Sequence, residues 1–206
     1  MAAERLNAWG ADSLLVLGGD GTNRMVAKGG GAAPLVPVST GTNNVFPSMV
    51  EGTVAGLAAA LLARGEVDAE AVTYRAKRLE VYLDGVMTEI ALVDVVTSRE
   101  LFIGTRALWD PAQIVDIVLA RSEPGSIGLS AVGSCLQAVT ARDPHGMCLR
   151  LGPGGLNVLA PMGPGLVPVV PVREHHLLPL GAEVAVSPDT TTIALDGERS
   201  LEVYRR

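Results

Sequence analysis

The chain has 206 residues, 48% of them hydrophobic and 18% charged, with a net charge of −6. That is enough chain for a sizeable core, and the composition excludes a disordered polymer. The acidic balance and the 3% aromatic content argue against a nucleic-acid surface, which needs basic patches and stacking rings.

Ser13 to Leu17 is a short apolar run that stops at two glycines, the pattern of a buried parallel strand ending in a tight loop. Thr22 to Lys28 can continue as a helix up to Gly29-Gly30-Gly31. Pro34 to Val38 reads as a second strand, followed by the polar turn Ser39 to Asn44. A helix is expected over Val54–Arg64, with Thr53 as N-cap and Gly65 as its stop. Residues 1–70 therefore follow α/β grammar, as a partial, N-terminally short nucleotide-binding domain. Two strands cannot bury both faces of a parallel sheet, so a further N-terminal segment or a partner subunit is expected.

The grammar changes over 71–206, which reads as a β-rich domain with the active site expected between the two parts. Lys77 to Leu83 and Val86 to Ile90 flank an Asp84-Gly85 hairpin turn, and Ala91 to Thr97 reads as a buried strand holding one acid, Asp94. Asp110 and Pro111 suggest the start of a helix with Ile114, Val115, Val118 and Leu119 on one face. From Met147 onward, many short strands are expected between Gly, Pro and Asp turns. Arg75, Lys77 and Arg78 read as a solvated strand edge, His175-His176 as a solvated pair in a turn, and Cys135 and Cys148 as reduced, buried thiols. With no leader and no apolar run long enough to span a bilayer, a cytoplasmic protein without a membrane span is expected.

Gly18-Gly19-Asp20-Gly21-Thr22 is the segment richest in chemistry. Glycines after a buried strand let backbone N–H groups approach an anion, and a following helix N-terminus adds a positive dipole. An Asp there suits a base, or an indirect ligand of Mg²⁺. The chain lacks the GxxxxGK[ST] phosphate loop and any GxGxxG at the first strand end.

This loop resembles the signature of the superfamily that joins NAD kinases, diacylglycerol kinases and sphingosine kinases. Arg78 to Val81 with Asp84-Gly85 resembles the first hairpin of the NAD kinase β domain, and Ala91 to Val96 the strand bearing its Asn-acid pair. Pro124 to Ser130, Leu159 to Pro164 and Leu195 to Glu198 are similar to later motifs, the last in the Asp-Gly-Glu form of lipid kinases. The wording is closest to the AcoX (acetoin-catabolism protein X) branch, through Ser39 to Pro47 and Glu123 to Ser130.

The resemblance implies an ATP-dependent kinase, with Mg²⁺ accompanying ATP and a hydroxyl as acceptor. NAD going to NADP comes first; another alcohol, lipid or small polar, and a non-catalytic nucleotide-binding role are the alternatives. It implies catalytic roles for Asp20, Asp196 and Glu198, and nucleotide-binding roles for Gly18, Gly19, Gly21, Thr22, Thr42 and Asn43. Asn44, Asp94, Ser126, Gly128 and Ser130 would bind the acceptor. A homo-oligomer is expected. Val93 stands where NAD kinases carry the Asn of the pair, and Leu129 where they carry a Tyr, so the acceptor half departs from the pattern.

Overall fold

A computed structural model describes residues 2–100, 110–197 and 199–202. The chain divides into two compact units, Met1–Ala76 and Lys77–Arg206.

The first unit opens on helix α1 (Ala2–Ala8), which the sequence reading did not anticipate. Strand β1 (Leu14–Leu17), helix α2 (Asp20–Lys28) and strand β2 (Leu35–Val38) follow, and the strands pair in parallel with Leu14 opposite Leu35. Along β1 burial alternates: Leu14 and Val16 are covered, while Leu15 and Leu17 are exposed. Helix α3 (Gly52–Ala63) is capped by Glu51, not Thr53; the Glu51 carboxylate accepts from the Thr53 and Val54 amides. Gly65, at φ 65°, lies one residue past the C-cap Arg64, where the expected stop was placed. The short helix α4 (Ala69–Val72) closes the unit, with the Asp68 carboxylate accepting from Glu70 N.

In the second unit, strands β3 (Leu79–Leu83) and β4 (Val86–Ala91) form the expected hairpin, with Asp84 and Gly85 both at positive φ. The remaining strands are β5 (Asp94–Ser98), β6 (Ile114–Leu119), β7 (His145–Leu159), β8 (Val169–Pro179), β9 (Thr192–Leu195) and β10 (Arg199–Glu202). They form a six-stranded sheet in the order β10-β9-β5-β6-β7-β8, every pair antiparallel. Alternation splits its side chains between two clusters. Val96, Ile117, Leu149 and Ala194 join the larger core, with Val132 of helix α5 (Leu129–Ser134), while Val95, Ile193 and Leu195 pack with Val81 of the hairpin.

Several expectations fail here. The helix read over Asp110–Leu119 is instead a turn followed by β6. The Asp110 carboxylate accepts from Ala112 N, and Ile114–Leu119 enters the sheet between β5 and β7. Its Ile-Val-Asp-Ile-Val-Leu run is β-branched and covered on both faces, which overrides the helical spacing it also satisfies. The many short strands expected after Met147 are mainly two long ones, β7 and β8. Gly152 and Gly154 sit inside β7 at positive φ, where the register shifts, so they bulge the strand rather than end it. His175 and His176 are exposed on β8, not in a turn, and Cys135 is exposed while Cys148 is buried. Among the described residues no helix is long and apolar enough to cross a membrane.

Candidate functional site

In the first unit, β1 delivers the chain to Gly18, whose N–H bonds Val38 O at 3.0 Å. A Cβ added at Gly18 would lie 2.6 Å from Thr22 Cβ, and one at Gly19 would lie 2.7 Å from Asn44 Oδ1. A side chain at Gly18 would crowd the body of Thr22, and one at Gly19 would displace the Asn44 carboxamide. Gly19 is the N-cap of α2 and, lacking a side chain, offers no cap hydrogen bond. The first-turn N–H groups of a helix have no intrahelical acceptor, so this end of α2 offers backbone donors and the positive end of the dipole.

Asp20 opens α2, but its carboxylate does not simply project from a flexible loop. It is 7% exposed. Oδ1 accepts from Val45 N at 3.1 Å and from Phe46 N at 2.7 Å, and Oδ2 from Val45 N at 3.1 Å. The acid thus ties the first glycine loop to the Ser39–Asn44 turn. Asn44 serves the same junction: its carboxamide donates to Ser39 Oγ at 2.8 Å and fills the space above Gly19 and Gly41. Removing this carboxylate would take away the acceptor of the Val45 and Phe46 amides, so Asp20 also holds the fold together here. Asn23 also belongs here, donating from Nδ2 to Gly19 O at 2.8 Å. Thr22, Thr42 and Asn43 are exposed, and Gly21 is buried in the first turn of α2.

In the second unit, Asp94 and Asp196 come together. Asp196 sits at φ 49° in a turn with Gly197, and its Oδ1 accepts from Leu92 N, Val93 N and Asp94 N at 3.0, 2.8 and 3.3 Å. Asp196 N donates back to Asp94 O at 3.1 Å. Asp196 is thereby the pin of the β4–β5 bend, and Asp94, 6% exposed, begins the strand beyond it.

The Pro124–Ser130 segment forms a separate loop leading into α5. Ser126 Oγ donates to Glu123 O at 2.7 Å; Gly128, at φ 101°, donates its N–H to Pro161 O at 3.0 Å. Ser130 is 1% exposed, and its Oγ has no hydrogen-bond partner among the described residues. Glu198 lies outside the described residues.

The sequence reading missed the acceptor role of both aspartates. Their partners include the backbone amides of Val45, Phe46, Leu92, Val93 and Asp94, and a backbone amide carries no side-chain signal. Among the described residues no cluster of three or more His, Cys, Asp or Glu could hold a metal ion.

Comparison with known proteins divides the chain in the same way. Residues 1–67 match the ATP-NAD kinase N-terminal domain, and residues 77–206 match the acetoin catabolism protein X C-terminal domain. Acetoin catabolism protein X of Cupriavidus necator is 39% identical over 199 residues, covering 93% of this chain and 55% of that protein. The chain thus spans about half the length of the relative it matches.

Proposed function

This chain belongs to the acetoin catabolism protein X family, and on that premise we propose that it transfers a phosphoryl group from ATP to a hydroxyl acceptor, as an ATP-NAD kinase-like phosphotransferase. One observation carries the reading: the uncapped N-terminus of α2, cradled by Gly18 and Gly19, directly after a buried strand. Such an end binds phosphate through backbone N–H groups and dipole together. Gly18, Gly19, Gly21 and Thr22 hold the ATP phosphates, with Thr42 and Asn43 supplying exposed polar side chains beside them. Mg²⁺, when it accompanies ATP, neutralises charge on the phosphate oxygens.

Asp20 has a double task in this reading. Its Oδ1 keeps the Val45–Phe46 amides in place, and its Oδ2, which accepts from Val45 N at 3.1 Å, takes the proton of the acceptor hydroxyl or orients it. Most of the rate arises from positioning and charge. Ser130 supports an acceptor contact best, because a buried hydroxyl without a partner is costly unless a ligand meets it. Asp94, Ser126 and Gly128 complete the acceptor residues. Asn44, already bonded to Ser39, is scaffold first. Asp196 acts as a positioning residue through the bend it holds.

NAD is the first acceptor to test, ahead of other alcohols. The test is ADP release from ATP and Mg²⁺ with a panel of NAD, glycerol, diacylglycerol and sphingosine. NAD-dependent release supports the NAD kinase reading, and release with another member moves the acceptor. The engaged carboxylate of Asp20 favours a second reading, a nucleotide-binding protein without turnover. Tight ATP binding with no ADP from any acceptor would establish that one, and failure to bind ATP would overturn both.

A further inference from the structure

One face of the six-stranded sheet is covered only in part. The β3–β4 hairpin packs Val81 against Val95, Ile193 and Leu195 at one side. The chain then leaves β8 at the sheet edge and must return to β9, which lies beyond β7, β6 and β5. Residues 180–186 of this return line the same face as a strap. Between hairpin and strap lies a trough of about 860 Å³, built entirely from the second unit and within the size range of small-molecule sites.

The trough has two unlike ends. Its floor follows β6 and the residue after it from Asp116 to Ala120, four steps and so roughly 13 Å at strand rise. At the Ala120 end stands Lys77, half-buried rather than the solvated edge residue expected. Its ammonium donates to Thr140 O at 2.9 Å and His145 O at 2.6 Å. An ammonium has three donors, so one remains for a ligand. Both partners are neutral carbonyls. Burial pushes the Lys77 pKa down, and nearby Asp143 opposes that shift. At the far end Asp116 is 1% exposed. It accepts from Arg150 Nε at 2.9 Å, with the Thr97 hydroxyl 3.4 Å away, which leaves acceptor capacity on a group that can take about four bonds. Val95, Val118 and Ile193 form an aliphatic stretch in the middle. At the mouth, Arg78 and Glu80 pair with each other.

We propose that this trough binds a linear aliphatic molecule carrying an anionic group at one end, met by Lys77, and a hydroxyl at the other, donating to Asp116. Three bonds of an extended chain advance about 3.5 Å, so roughly eleven bonds span the floor. An ω-hydroxy acid of ten carbons has that reach. The proposal does not depend on phosphoryl transfer.

The test is calorimetric titration at pH 7 with 10-hydroxydecanoate, decanoate and 1-decanol, each below its aggregation limit. The hydroxy acid should bind about tenfold more tightly than either single-ended compound, the factor expected for one charge-assisted hydrogen bond. Lys77→Met should weaken decanoate and the hydroxy acid about tenfold and leave decanol unchanged. Equal affinities for all three, no binding by any, or an unchanged preference for acid in a folded Lys77→Met protein would overturn the proposal. If that variant does not fold by circular dichroism, the three-ligand series on the unaltered protein decides alone.

Discussion

Asp196 offers a sharp separation of structural from chemical roles. Replacing it with Ala removes the acceptor for three amides, those of Leu92, Val93 and Asp94, all in residues 6% exposed or less. An unsatisfied buried donor costs about 1–3 kcal/mol, with some relief from relaxation of the bend, so a total near 3 kcal/mol is expected. For a chain of this size that corresponds to roughly 6–12 °C in Tm. Asp196→Asn retains a carbonyl oxygen at Oδ1, which makes the three contacts, and loses the 3.2 Å contact of Oδ2 with Leu92 N. It should cost about 1 kcal/mol. The assay is urea unfolding followed by far-UV circular dichroism, paired with ADP release. A purely chemical acid would show the opposite pattern, with Asn as inactive as Ala and neither variant destabilised. An Asp196→Ala protein within about 0.5 kcal/mol of the parent would refute the pinning role, since surface changes fall in that range.

Asp20→Asn keeps one acceptor for the Phe46 amide, so it should lower phosphoryl transfer about 10²–10⁴-fold with a smaller stability loss than Asp20→Ala; kinetics and unfolding of the two variants check this. Gly18→Ala should weaken ATP binding, because its methyl meets Thr22 at 2.6 Å and must displace the first turn of α2; equilibrium dialysis with ATP reads the change. At pH 8 a thiol reagent should label Cys135 quickly and Cys148 only on unfolding, since Cys148 is buried and burial, aided by Asp116, pushes its pKa up to about 11; mass spectrometry distinguishes the two sites. Backbone amides of Thr53 and Val54 hold the Glu51 carboxylate below its ordinary value of 4.5. That contribution is present above pH 4.5 and is lost as pH falls through the depressed value. The difference in Tm between parent and Glu51→Gln should therefore narrow on acidification below pH 4.5.

Much of the local structure was legible along the chain. Ser13 to Leu17 running into glycines, the Asp84-Gly85 turn, and the apolar run after Thr53 each carry their own signal, and β1, the hairpin and α3 form there. Ile114–Leu119 was misread because an apolar run of that length satisfies both periods, and only β5 and β7 on either side settle it as strand. Val169 to Pro179 was obscured by its prolines, which an edge strand tolerates because its outer side needs no donors.

The division is clearest for the site itself. By itself the sequence determined that a glycine-rich turn follows a buried strand and that acids stand at positions 20, 94 and 196, because strand length, glycine and charge are properties of adjacent residues. Only the tertiary structure decided what those acids touch. Asp20 meets amides 25 and 26 residues away, and Asp196 meets amides more than a hundred residues away. Backbone N–H groups are alike at nearly every position, so nothing in their order along the chain marks which will be left for a carboxylate. That is fixed when folding aims them inward and removes the water that would otherwise have bonded them.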